Sequence, residues 1–285
     1  MPELPEVETM CRGIRPIVGA RIARVLRPPC DRRPIAVVPG IEAIERRSVG
    51  RRVADIRRLG KRVLIVTDDA YHLVFEPRMT GLVLLSDPPD DRALRIEIRF
   101  EPWEGPERLW FWDRRGLGTF SGLETDELER RWGGETVGPD ALSIEPADFR
   151  GRLAPSRRPI KVALLDQTRV AGIGNLYASE MLHVARIHPE TPCDRLTGPQ
   201  WERLFRAMRD VLETAIRYEG STLADGTYRN ALNKAGGYQN HHRVYDRADE
   251  RCPDCERGIV VRIVQAQRST GGCPRISPMA PASSV

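Results

Sequence analysis

The second and third residues are where chemistry first becomes legible in this chain. Once Met1 is removed, Pro2 carries the free amino terminus, a secondary amine, and Glu3 sets a carboxylate beside it. An α-amino group has an ordinary pKa of about 7.7–8.0, so part of it is neutral and nucleophilic near neutral pH. A secondary amine that attacks C1′ of a sugar leaves an iminium, whose positive charge acidifies the C2′ proton. One nucleophile can then open first a glycosidic bond and afterwards a strand. Glu3 is the adjacent group able to give or take protons. Taken alone, Pro-Glu near a terminus more often just starts a helix.

Two further groupings carry donor chemistry. In Gly172-Ile173-Gly174-Asn175-Leu176-Tyr177-Ala178-Ser179-Glu180 the glycines let backbone amides approach a phosphate, and Asn175 stands at a helix start, where free N–H groups favour an anion. A plain packing corner is the bland alternative. Cys252-Pro253-Asp254-Cys255, followed by Cys273-Pro274, reads as most of a zinc ribbon. The position that would close it is Ile276, which offers no donor. Cys252, Cys255 and Cys273 with water, or with a nearby Asp or His, would still hold Zn2+; a hairpin held by packing alone is the alternative. Cys11, Cys30 and Cys193 are scattered and read as core or inert surface.

These groups need a scaffold. Val7, Met10, Cys11 and Ile14 recur at helical spacing, predicting an amphipathic helix over 5–15 that would hold the terminus still. Residues 20–120 read as strands. Leu94, Ile96, Ile98 and Phe100 alternate as on a half-buried strand, and two apolar runs flank a turn at Leu59-Gly60-Lys61. From about 125 the period becomes helical. Short helices are expected over 160–167 and 175–184. The clearest helix is 199–218, with a capping box at Thr197–Gln200 and a stop at Gly220. Residues 130–155 read as a hinge between domains.

The net charge of +5, from 45 Lys and Arg against 40 Asp and Glu, is a modest excess, so it points only weakly to nucleic acid. No run approaches the length of a membrane span and no apolar signal follows Met1. The six cysteines therefore argue against a disulfide framework and for a cytoplasmic, nucleoid-associated protein.

The string Met1-Pro2-Glu3-Leu4-Pro5-Glu6-Val7-Glu8 resembles the N-terminus of the formamidopyrimidine-DNA glycosylase family, and 172–180 resembles that family's helix–two-turn–helix element. The resemblance runs in order along nearly the whole chain. It implies a multidomain α+β fold: an N-terminal helix plus β-sandwich over 1–130, a helix–two-turn–helix domain over 131–245, a zinc-finger-like hairpin over 246–276, and a disordered tail over 277–285. The abrupt change of composition in that tail also fits an altered reading frame.

The implied activity is that of a bifunctional DNA glycosylase and AP lyase. Such an enzyme excises oxidised purines from damaged double-stranded DNA in base excision repair, as a monomer with no redox or nucleotide cofactor. Pro2 would be the nucleophile and Glu3 the main proton-transfer group. Lys61 on its hairpin and Arg268 at the finger tip would contact phosphates and assist, and Glu6 would position substrate or water. Asn175 would grip the backbone. Met79 and Arg115 match residues that fill the gap left by an extruded base; Leu117 departs from the family's Phe. Endonuclease VIII-like action on oxidised pyrimidines, and a non-catalytic lesion-binding role, are the alternatives.

Overall fold

The computed structural model describes residues 2–278; of the expected tail, 279–285 lie outside the described residues. The chain divides into two units, residues 2–133 with 215–239, and residues 134–214 with 240–278.

In the first unit, helix α1 (Leu4–Gly13) starts at Glu3, and its apolar stripe Leu4, Val7, Met10 and Cys11 is buried. The strands are β1 (Ile22–Leu26), β2 (Ala36–Val38), β3 (Val53–Leu59), β4 (Arg62–Thr67), β5 (His72–Glu76), β6 (Gly81–Leu84), β7 (Leu94–Phe100), β8 (Arg108–Asp113) and β9 (Thr119–Leu123); α2 (Ile41–Ser48) and α3 (Thr125–Trp132) complete the unit. They form a four-stranded sheet, β1-β7-β8-β6, and a five-stranded sheet, β2-β9-β5-β4-β3. Side chains from both enter one core with α1. Phe75 of one sheet meets Phe111 of the other at 5.3 Å between ring centres. Each such buried side chain contributes about 1.5–3 kcal/mol. The returning segment 215–239 supplies Tyr228 and Ala231 to the same core.

The expected β3–β4 hairpin is present: Leu59 pairs with Arg62, and Gly60 has φ +57° in a two-residue turn that leaves Lys61 at the tip. Strand β7 differs from expectation. Its alternation is real, but Arg95 and Glu97 on the other face are also buried. They tolerate burial because each is paired: Arg95 donates to the Asp113 carbonyl at 2.9 and 2.8 Å, and Glu97 accepts from Arg99 at 2.6 Å.

The second unit holds α4 (Pro146–Leu153), α5 (Ile160–Leu164), α6 (Asn175–Ala185), most of α7 (Gly198–Arg217) and the antiparallel hairpin of β10 (Val261–Gln265) and β11 (Arg268–Gly272). The buried stripe of α7 includes Trp201, Leu204, Met208, Val211 and Leu212. Phe149 of α4 meets Trp201 and Phe205 edge-on. At the start of α7 the Gln200 side chain accepts the Thr197 N–H at 2.9 Å, one half of the expected capping box. At its end Glu219 (φ +60°) and Gly220 (φ +79°) break the helix, and the Gly220 N–H caps the Ala215 carbonyl. Among the described residues no helix is long and apolar enough to cross a membrane.

Candidate functional site

Glu3 and Glu6 lock each other at the head of α1. The Glu3 side chain accepts the Glu6 N–H, and Glu6 Oε2 accepts the Glu3 N–H at 2.8 Å. Both carboxylates sit where the free N–H groups of the helix favour negative charge. Pro2, Glu3 and Glu6 are all buried. The second oxygen of Glu6 accepts the Ser221 N–H at 2.9 Å. Gly220 makes that approach possible: at φ +79°, a Cβ there would stand 2.8 Å from Glu6 Oε1. Tyr228 closes the arrangement by donating to the Glu219 carbonyl at 3.0 Å, and its burial pushes the phenol pKa well above the ordinary value. On the neighbouring turn of α1, Glu8 is bonded by Arg58 and Arg12 at 2.8 Å each. Burial works to raise its pKa, but the two guanidiniums outweigh it and hold the carboxyl below its ordinary value. The helix bearing the candidate nucleophile is thereby tied to β3.

Lys61 occupies the β3–β4 turn next to Arg62, whose guanidinium bonds Glu76 at 2.8 Å and lies over the Trp132 ring. Met79 stands in the turn before β6 and is 37% exposed, which removes it from the core. Arg115 is exposed and Leu117 half-buried, both in the loop after β8. One residue joins the two loops. Asp113 is fully buried; its Oδ1 accepts from the Thr80 hydroxyl and from the Arg115 N–H, and its Oδ2 accepts the Gly118 N–H at 2.8 Å. Met79 and Arg115 thus flank a single buried carboxylate.

In the second unit, Asn175 is the first residue of α6, as its motif predicts. The Gly172 N–H, however, is taken up inside the preceding loop: it donates to Gln167 Oε1 at 3.0 Å, and the Gln167 amide donates to the Ile173 carbonyl at 2.8 Å. The Asn175 amide donates to the Ser269 carbonyl at 3.0 Å, next to Arg268. Lys161 of α5, 1% exposed, donates to the same carbonyl at 3.3 Å and to the Thr270 hydroxyl. Asn175 and Lys161 therefore converge on the Ser269 carbonyl, which places Asn175 at the backbone that follows Arg268, 93 positions away in the chain. Arg268 itself is exposed, just past a tip formed by Ala266 (φ +46°) and Gln267 (φ +61°).

The donor atoms of Cys252, Cys255 and Cys273 lie within 4.8 Å of one another, an arrangement compatible with a zinc site. Cys255 and Cys273 are 3.7 Å apart, far beyond a disulfide and close to the ~3.8 Å edge of a tetrahedron with Zn–S bonds of about 2.3 Å. Backbone N–H groups of Arg257 and Gly258 draw the Cys255 thiol pKa below its ordinary value. Ile276 packs against this cluster as an apolar residue.

Sequence reasoning did not find Asp113, Lys161 or the Glu6–Ser221 contact. Asp113 and Lys161 look like ordinary surface charges in the sequence, and no local pattern relates position 6 to position 221.

A terminal helix locked at its first turn, a β-sandwich behind it, and a separate helical unit carrying a cysteine-bearing hairpin together define the class of DNA glycosylases that act in base excision repair. The family model for the formamidopyrimidine-DNA glycosylase N-terminal domain matches residues 1–120, and that for the family's H2TH domain matches 137–226. A formamidopyrimidine-DNA glycosylase of Chloroflexus aurantiacus is 39% identical over 96% of each chain. The crystal structure of the MutM (Fpg) protein from Thermus thermophilus superposes with a TM-score of 0.83 at 36% identity, covering 98% of this chain and 100% of that one. A Lactococcus lactis Fpg mutant in complex with a Fapy-dG containing DNA gives 0.86 at 31% identity over 98% and 100%. The chain belongs to the formamidopyrimidine-DNA glycosylase family.

Proposed function

We propose that this chain excises oxidised purines, such as 8-oxoguanine opposite cytosine and formamidopyrimidines, from duplex DNA and then cleaves the strand at the resulting site. The observation that carries the reading is the buried lock of Glu3, Glu6 and Ser221 beside Pro2. It holds a terminal nucleophile and a carboxylate in one orientation, which a covalent mechanism needs.

Pro2, freed of Met1, attacks C1′ of an extruded nucleotide and expels the base. Glu3 moves the protons, while Glu6 fixes Glu3 and the substrate or a water. The iminium carries the charge that permits loss of the C2′ proton and successive β- and δ-elimination. Lys61 and Arg268 neutralise phosphates around the lesion, and Asn175 holds the backbone. Met79, Arg115 and Leu117 occupy the space left in the duplex, with Arg115 hydrogen-bonding the orphaned base. Cys252, Cys255 and Cys273 hold a structural Zn2+, which when bound braces the hairpin and takes no part in the reaction. The protein acts as a monomer in the cytoplasm, at the nucleoid, where its cysteines stay reduced.

Borohydride trapping on a labelled 8-oxoguanine:cytosine duplex tests this. A covalent complex is expected on that duplex and on an abasic duplex, and its loss in Pro2→Gly. A complex on the abasic duplex alone would replace the oxidised-purine preference with another. No complex on either duplex, despite tight binding, would leave a lesion-binding protein without catalysis.

A further inference from the structure

We propose that His183 completes the metal set, so that one zinc ion is held by Cys252, Cys255, Cys273 and Nε2 of His183. The inference rests on the reading of the three cysteines as a zinc site. It departs from a ribbon closed by a fourth cysteine of the hairpin, because that position is Ile276 and is packed in the apolar cluster beside the sulfurs.

Structural zinc sites are closed by four protein ligands, so a three-sulfur set needs one more donor from nearby. His183 Nε2 is 3.9 Å from Cys252 Sγ. With Zn–S near 2.3 Å and Zn–N near 2.0–2.1 Å, a tetrahedral S···N edge is about 3.6 Å. His183 Nε2 stands beside Cys252 but outside the group of donor atoms mutually within 4.8 Å, so the few tenths of an ångström that bring it to edge distance from Cys252 must be joined by a larger swing of the ring towards Cys255 and Cys273. The ring is 2% exposed and Nδ1 has no hydrogen-bond partner, so its polar contacts all lie on the Nε2 edge, towards Cys252 and Asp254.

The scaffold directs it there. Glu180 lies three residues earlier, on the same face of α6. Its fully buried carboxylate accepts the N–H groups of Arg243, Val244 and Tyr245 at 2.9, 3.0 and 2.8 Å. That clamp fixes the segment leading into Cys252 against the helix that bears His183. Asp254 Oδ2, which takes the Nε2 proton at 2.9 Å here, also lies 3.6 Å from Arg243 Nε and has that cation to turn to once Nε2 is a ligand. Binding releases the thiol protons to solvent, while the imidazole stays neutral with its proton on Nδ1 once Nε2 is the ligand.

The test is zinc X-ray absorption on the reduced full chain, with metal content measured on the same sample. Three sulfurs and one nitrogen, with the outer-shell scattering of an imidazole, is the expected result. His183→Ala should lose the imidazole signature and bind zinc more than about 100-fold more weakly, beyond the 10–100-fold typical of losing an outer-shell partner. His183→Cys should restore tight binding with four sulfurs, and Asp254→Asn should leave the shell unchanged. Zinc bound with three sulfurs and one oxygen, or an unchanged shell in His183→Ala, would overturn the role of His183 and leave the zinc site standing. A wild-type chain that takes up no zinc would remove both.

Discussion

Glu6 and Ser221 are joined by a 2.9 Å hydrogen bond across 215 positions of chain, and the same carboxylate holds Glu3 through its other oxygen. The orientation of the candidate proton-transfer group thus depends on a segment that returns to the N-terminal unit only after most of the second unit has been traversed.

Replacing Glu6 by Gln presents an amide N–H to one of two buried donors. The expected cost is about 1–3 kcal/mol in chemical denaturation, because a buried donor loses its acceptor. Single-turnover base excision should fall with it. Gly220→Ala should give the same phenotype from the other side, since its Cβ would meet Glu6 Oε1 at 2.8 Å. Unchanged excision in both variants would detach this lock from catalysis.

Asp113→Asn removes one acceptor from a carboxylate that serves Thr80, Arg115 and Gly118. A stability loss of about 1–3 kcal/mol is expected. The loops of Met79 and Arg115 should loosen together. A fluorescent base opposite the lesion would report this as weaker perturbation of stacking on binding, with the Schiff-base step on a single-stranded abasic substrate largely preserved.

Lys161→Met keeps the buried stem and deletes the ammonium that holds Ser269 and Thr270. Hydrogen exchange should rise selectively over 261–272, and strand cleavage should slow more than base release. Uniform exchange across the second unit would point instead to a global defect.

His242 is 8% exposed, and burial lowers its pKa from 6.5 to about 4. The unfolded chain therefore takes up a proton on this ring between those values while the folded chain does not. Its stabilising contribution is complete above pH 6.5 and is lost as the pH falls towards 4. The loss is at most about 3 kcal/mol for a shift of this size. Burial also lowers the pKa of His72 and His188, adding to the same trend. His242→Gln should flatten the fall of denaturation free energy between pH 6.5 and 4; an unaltered slope would assign the acid sensitivity to the other two.

Local periodicity sufficed where one face of an element is apolar. The α1 stripe, the β3–β4 hairpin around Gly60 and the α7 stripe are all where the spacing puts them. It misled at β7, where paired Arg95 and Glu97 fill the face that alternation assigns to solvent. The Gly172 N–H, read as free for a phosphate, is bonded within its own loop by Gln167, a side chain with no signature of its own.

By itself the sequence determined the family and the candidate groups: the terminal Pro-Glu pair, the turn bearing Lys61, the helix start at Asn175 and three clustered cysteines lacking a fourth. Each is a matter of residue type and short spacing. Only the tertiary structure decided what holds them. Ser221 meets Glu6, Asp113 joins the loops of Met79 and Arg115, Lys161 and Asn175 meet at the Ser269 carbonyl next to Arg268, and His183 comes to Cys252. Those contacts form because buried carboxylates, ammoniums and backbone amides must find partners once water is excluded. The partner within reach is set by how the chain returns in space, which no local pattern of residues encodes.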